Sequence, residues 1–199
     1  MLEFLKSADR GLFLFLNGMH NSFFDFVMYW ASDRFIWIPF YLVLLYVIIK
    51  AFGKKTFLAL FLVAAMITIS DQVSSTLVKN EVQRLRPCHT PEIESRVHLV
   101  NGYCGGSYGF FSSHASNTWA LAVFLILVFR RSGGNAQSVF KNDKKLRLFF
   151  ATLICYAAVV SYSRVYLGSH YPGDVIAGIA FGSLLSFIFA HIFFRFQKK

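Results

Sequence analysis

Lys79 stands seven residues before Arg86, and Pro87 follows directly. Phe111-Ser112-Ser113-His114 comes next, and Ser163-Arg164, His170 and Asp174 complete the set. Together these residues supply three fixed cations, two imidazoles and one carboxylate. Phosphoryl transfer asks a protein mainly to neutralise the phosphoryl oxygens and to position a nucleophile in line. Three cations can do the first, and a neutral imidazole can do the second. All three clusters lie at the margins of apolar runs, so the phosphate they would meet is that of a lipid.

Each cluster also has a plainer reading. Lys79 and Arg86, two helical turns apart, would share one helix face, with Pro87 ending or bending that helix. Such a pair could grip a phosphate dianion, Arg as a fork and Lys as a point charge. It could equally be a basic helix end among headgroups. Ser112 or Ser113 can cap the helix that follows, turning its free N–H groups toward an anion. That would place His114 in the first turn, able to protonate a leaving oxygen, or leave it as an ordinary interfacial histidine. His170 and Asp174 are four apart. A carboxylate accepting the ring N–H would fix the tautomer and free the other nitrogen to attack. Pro172-Gly173 suits a tight turn before a last helix.

The elements that must hold these residues are hydrophobic. Of the 199 residues 56% are hydrophobic, 15% are charged and 24 are Phe, which is too apolar for an ordinary soluble domain. A net charge of +10 could suggest nucleic acid. The cations, however, flank apolar runs instead of forming one basic face, so no nucleic-acid partner is expected. Five charge-poor runs are long enough to cross a bilayer with help from their flanks: 35–49, 56–78, 115–129, 148–163 and 175–194. The expected fold is all-α, an integral-membrane helical bundle of five transmembrane helices, or six if residues 11–31 also cross. Asp71 falls inside the second run, either as a packing residue or as a functional one. Gly178, Gly182 and Ser186 recur every four residues as a close-packing stripe.

Residues 1–33 read as an N-terminal amphipathic, interfacial segment, with Leu2, Leu5, Leu12 and Leu16 at helical spacing beside Glu3, Lys6, Asp9 and Arg10. Glu3 and Asp9 argue against a cleaved signal peptide. Residues 34–199 form the expected catalytic domain. Lys50, Lys54 and Lys55, the basic 130–147 connection, and Arg195, Lys198 and Lys199 fall on one side of a five-span topology, which should be the cytoplasm. The three clusters then share the opposite face. The 79–114 loop on that face holds Cys88 and Cys104, which an oxidising exterior could join as a disulfide or leave as two thiols. Cys155 lies inside a run. Ser132-Gly133-Gly134-Asn135 reads as a flexible turn. His20, His89, His98 and His191 show no ligand spacing with cysteines or carboxylates, so no metal is expected.

In their order and spacing the clusters resemble the type 2 phosphatidic acid phosphatase (PAP2) superfamily of membrane enzymes, whose pattern is Lys-x6-Arg-Pro, Pro-Ser-Gly-His and Ser-Arg-x5-His-x3-Asp. The first and third match fully. In the second, Phe111 replaces proline and Ser113 replaces glycine, while Ser112 and His114 remain. The resemblance spans about residues 55–195. It implies that His170 is the nucleophile, Asp174 its orienting partner and His114 the acid that later activates water. Lys79, Arg86, Arg164, Ser112 and the Ser113 amide would bind phosphate without a cofactor. It further implies a bacterial inner-membrane enzyme with a periplasmic site, no obligatory protein partner, and a lipid phosphate substrate. Undecaprenyl diphosphate, phosphatidylglycerol phosphate, phosphatidate and lipid A phosphate are the choices, and a short chain with a basic site leans toward the first. Two other readings share the motifs: a vanadium-dependent haloperoxidase, which five spans disfavour, and an inactive lipid-phosphate-binding or transport protein.

Overall fold

The computed structural model describes residues 2–102, 104–132, 139–140 and 142–197, so most of the Ser132-Gly133-Gly134-Asn135 turn lies outside the described residues, as do Lys141, Lys198 and Lys199. The regular structure of the described residues is helical, apart from an isolated antiparallel bridge between Leu85 and Tyr108. Helices α1 (Leu2–Gly18) and α2 (Ser22–Ser32) precede α3 (Ile38–Phe52) and α4 (Thr56–Gln72). A widened turn, Val73–Val78, carries α4 into the short α5 (Lys79–Val82). After a long loop come α6 (Ser113–Arg131), α7 (Asp143–Tyr166) and α8 (Pro172–Gln197). Each of the five apolar runs lies largely or wholly in one of α3, α4 with its widened turn, α6, α7 and α8.

The molecule is an integral-membrane helical bundle. Segments Ile38–Val82, Asp143–Tyr166 and Pro172–Phe196 are long and apolar enough to cross a bilayer. The first contains both α3 and α4, which part at Gly53, where φ is 51° and a glycine meets no steric penalty. Helix α6 does not reach that apolarity, and its setting explains why. It is the central helix, with Ala115, Ser116, Ala120, Ala122, Phe124, Leu125, Val128 and Phe129 all buried by its neighbours. Side chains on the bundle's outside are apolar, with Phe57 80% exposed and Leu148 67% exposed, as a lipid-facing surface requires.

Close approach of α6 and α8 sets the geometry of the site. A side-chain carbon at Gly178 would sit 2.6 Å from the Ser112 carbonyl oxygen, and one at Gly182 would collide with the Ser116 carbonyl. The Ser186 hydroxyl donates across the gap to the Ala120 carbonyl at 2.8 Å. The small-residue stripe is therefore an internal packing seam between two helices that begin at the same end. At the opposite end, the Phe52 ring packs on Phe129 at 5.0 Å and on Phe193 at 5.4 Å. This brings the ends of α3, α6 and α8 together there.

Candidate active site

Two of the three clusters meet through serine hydroxyls. Lys79 lies just past the widened turn, and its Nζ donates to Ser113 Oγ at 3.2 Å. Ser74, within that turn, shares a 2.7 Å hydrogen bond with the same hydroxyl. A widened turn rotates the residues beyond it relative to an unbroken helix, and such turns are frequent at functional sites.

Arg86 arrives differently from the sequence expectation of one helix carrying both cations. The helix stops at Val82, and Gln83 takes the left-handed conformation with φ 49°. Pro87 disfavours helical backbone at the residue before it, and the Arg86 stretch pairs instead with the far limb of the loop. Arg86 N–H donates to the Ser107 carbonyl at 2.9 Å, and Gly109 N–H to the Arg84 carbonyl at 2.8 Å. The guanidinium is held by the Tyr108 carbonyl at 3.2 Å and the Cys104 carbonyl at 3.3 Å. Gly105, at φ 88°, lies against it, and a side-chain carbon there would come within 3.1 Å of Nη1. Cys88 and Cys104 are joined as a disulfide, with Cα atoms 6.2 Å apart, and this ties the two limbs beside Arg86.

Ser112 caps α6: its hydroxyl accepts from Ala115 N–H at 3.4 Å, and its own N–H donates to the Asp174 carbonyl at 3.1 Å. His114 is accordingly in the first turn. Arg164, in the last turn of α7, is 6% exposed and donates to the Ser32 hydroxyl. His170 lies between α7 and α8 and is 2% exposed, and Asp174, in the first turn of α8, is fully buried.

His170 Nδ1 is 3.7 Å from Asp174 Oδ2, near but beyond hydrogen-bond length. The carboxylate instead accepts Tyr171 N–H at 3.0 Å on Oδ2 and Arg84 Nη1 at 2.6 Å on Oδ1. Gly109 leaves room for this pair, since a side-chain carbon there would be 3.1 Å from Asp174 Oδ2 and 3.6 Å from His170 Nδ1. Burial, followed by the neighbouring Arg86, Arg164 and Lys79 charges, holds His170 well below the ordinary histidine range. Its imidazole is therefore neutral at neutral pH.

A cavity of about 630 Å³ gathers these groups. Lys79, Arg86, Ser113, His114, Arg164 and His170 line one part, and Trp37, Tyr41, Ile67, Leu121, Tyr156 and Val160 line another. Asp71 is also on its wall. A second cavity of about 530 Å³ includes Tyr29, Val100, Asn101, Leu167 and Ser169. Ser32, Asp33, Arg34, His114 and Arg164 border both. The arrangement can hold a dianion beside a neutral imidazole, in a cavity whose wall also offers aromatic and aliphatic side chains.

Sequence reasoning missed several contributors. Arg84 falls among the unspecified residues between Lys79 and Arg86, yet it bonds Asp174. Asp9, read as the polar face of an interfacial helix, accepts Arg84 Nη2 at 2.7 Å and Gly173 N–H at 2.8 Å. Asn17 is fully buried, with its amide on the His98, Val165 and Tyr166 carbonyls. His20 and His98, which have no ligand spacing in sequence, stack at 3.6 Å, and their ring nitrogens gather with an Asp25 oxygen within 4.8 Å of one another. Asp25 is already engaged there by the Tyr166 hydroxyl at 2.7 Å and His98 Nε2 at 2.8 Å. No linear pattern signals these partners, because each joins elements far apart in the chain.

The chain is similar to known proteins over most of its length. The PAP2 superfamily model matches residues 54–198. A lipid A 4'-phosphatase of Bacteroides thetaiotaomicron is 39% identical over 197 residues, covering 96% of this chain and 80% of that one. A lipid A 4'-phosphatase of Porphyromonas gingivalis is 34% identical, covering 92% and 72%. The crystal structure of a transmembrane PAP2-type phosphatidylglycerolphosphate phosphatase from Bacillus subtilis superposes with a TM-score of 0.66 at 21% identity, over 94% of this chain and 85% of that one.

Proposed function

This chain belongs to the PAP2 superfamily and is a membrane lipid phosphatase, and from that premise we propose that it removes a phosphate monoester from a lipid A-type saccharolipid on the extracytoplasmic face of the bacterial inner membrane. The observation that carries this reading is the cavity, whose wall joins Lys79, Arg86, Arg164, His114 and His170 to aromatic and aliphatic side chains. Such a space suits an amphiphile whose phosphate reaches the cations while its chains stay among apolar walls. Relatives sharing about a third or more of their residues over most of the chain are lipid A 4'-phosphatases, which favours a phosphorylated sugar as the polar part.

In the proposed reaction Lys79, Arg86, Arg164, Ser112 and the Ser113 amide hold the phosphoryl oxygens. His170 Nε2 attacks phosphorus, and the P–O bond to the sugar breaks. His114 takes up a proton from solvent as the phosphate dianion binds beside it, and gives that proton to the departing oxygen. His114 then removes a proton from water, the hydroxide attacks phosphohistidine, and the P–N bond breaks to give inorganic phosphate and free His170. Asp174 faces the Nδ1 edge of the ring, leaving Nε2 for the attack. Each donor aimed at the developing charge contributes roughly 3 kcal/mol to the transition state.

Purified enzyme in detergent, without added metal, should release phosphate from bis-phosphorylated lipid A faster than from undecaprenyl diphosphate or phosphatidylglycerol phosphate, and His170→Ala should release none. A clear preference for either of the other lipids would overturn the substrate assignment. Turnover in His170→Ala would overturn the mechanism.

A further inference from the structure

Arg84 occupies a position that phosphate binding does not explain. It borders neither cavity. Its guanidinium lies on the far side of the buried carboxylate, with Nη1 on Asp174 Oδ1 at 2.6 Å and Nη2 on Asp9 Oδ2 at 2.7 Å. Its plane rests over the Tyr171 ring at 4.1 Å. One arginine thus spans two carboxylates while stacked on an aromatic face, a geometry that lysine cannot reproduce.

Asp9 continues the chain of contacts. Its other oxygen accepts Gly173 N–H at 2.8 Å, so α1 holds the backbone of the turn that carries His170 and Asp174. Gly173 permits this approach, because a side-chain carbon there would lie 2.7 Å from Asp9 Oδ2. Phe13, one turn further along α1, is fully buried against Tyr171, with ring centres 5.4 Å apart. Tyr171 is in turn pinned by its hydroxyl to Thr90 Oγ1 at 2.9 Å. The turn is therefore clasped by an element outside the 54–198 family match.

We propose that Arg84 and Asp9 are positioning residues for the reaction, setting the Asp174 carboxylate against His170 from behind, so that the N-terminal helix is part of the catalytic apparatus. Asp174 alone has rotational freedom about its side-chain bonds. With Oδ1 fixed by Arg84 and Oδ2 by Tyr171 N–H, its plane is set, and so is the edge it offers to His170 Nδ1. Asp9 does for Arg84 what Arg84 does for Asp174: a guanidinium held at two points cannot swing away. The inference rests on His170 being the attacking group.

The test compares Arg84→Gln, Arg84→Lys and Asp9→Asn with the parent and with His170→Ala. Three quantities are measured: single-turnover phosphoenzyme formation, the affinity for inorganic phosphate as the product, and the thermal midpoint. Arg84→Gln should lose about 10- to 100-fold in phosphoenzyme formation, the range for removing a group that orients a reacting side chain. Affinity for inorganic phosphate should change by less than about twofold, because a group acting only on the chemical step leaves ground-state binding alone. Arg84→Lys should recover part of the rate, and Asp9→Asn should lose less than Arg84→Gln in the same direction. Parental rates in a folded Arg84→Gln would overturn the proposal. So would a parallel loss of affinity for inorganic phosphate, which would make Arg84 a phosphate-binding cation. Unfolding of all three variants would make the bridge a structural clamp only, and would also overturn it. An active His170→Ala would instead refute the mechanism beneath it.

Discussion

At the scale of single residues, the two histidines differ in setting and should differ in behaviour. His170 is enclosed and faced by Arg86, Arg164 and Lys79, so its protonated form is doubly penalised, by lost hydration and by like charge. In ligand-free enzyme, nitrogen-15 NMR of labelled histidine should show its ring neutral well below pH 6.5, the signal being assigned by its loss in His170→Ala. A titration near the ordinary value of about 6.5 would contradict this setting. The same shift bears on stability. Below about pH 6.5 the unfolded chain binds a proton here that the folded chain refuses, so this site favours folding above that pH and loses its contribution as pH falls. His114, which opens onto both cavities, carries the second test. Its proposed task is protonating the departing oxygen, which an alkoxide needs and p-nitrophenolate hardly does. His114→Ala should therefore keep far more of its single-turnover rate on p-nitrophenyl phosphate than on a lipid monoester, whereas His170→Ala should fail on both. Equal losses on the two substrates would remove the acid role.

At the scale of elements, the seam between α6 and α8 and the loop between α5 and α6 both bear on the site. Gly178 lies against the Ser112 carbonyl, so Gly178→Val must push the cap of α6 away from α8. Overpacking of this kind costs about 1–3 kcal/mol. A lowered thermal midpoint and weakened vanadate binding should appear together, and a fully stable, fully active variant would show that the seam can relax without moving the site. The disulfide ties Cys104, whose carbonyl accepts from Arg86, to Cys88 two residues beyond that arginine. Closing a loop of this length is worth about 3 kcal/mol. Cys88→Ser with Cys104→Ser should lower the midpoint and the phosphate affinity; unchanged values would confine the bond to a passive role. Helix positions, the cap at Ser112 and the small-residue stripe were legible in the sequence because each is a local or periodic signal. The break at Gln83 was not, because the pairing of Arg84 and Arg86 with Ser107 and Gly109 that draws the chain out of helix is non-local. Arg84, Asp9 and Asn17 were hidden for the same reason: their partners are brought by tertiary packing, from 75 or more residues away.

At the scale of the whole molecule, the site lies at one end and most of the basic residues that flank the spans lie at the other. Lys79 closes α4's extension, His114 opens α6, Arg164 closes α7 and Asp174 opens α8, so these four helix termini share the site end. The other termini carry Lys50, Lys54 and Lys55, Arg130 and Arg131, Lys144, Lys145 and Arg147, and Arg195. The contacts of Phe52 with Phe129 and Phe193 hold that end together. Basic residues next to spans are retained on the cytoplasmic side, so the catalytic end should face outward, where Cys88 and Cys104 can remain oxidised. An impermeant maleimide offered to intact spheroplasts after mild reduction should label Cys88 and Cys104. A cysteine introduced at Lys144 in a variant lacking the native three should react only after lysis. Labelling at position 144 in intact spheroplasts, with Cys88 and Cys104 protected until lysis, would invert the molecule. It would also place the proposed reaction on the cytoplasmic leaflet.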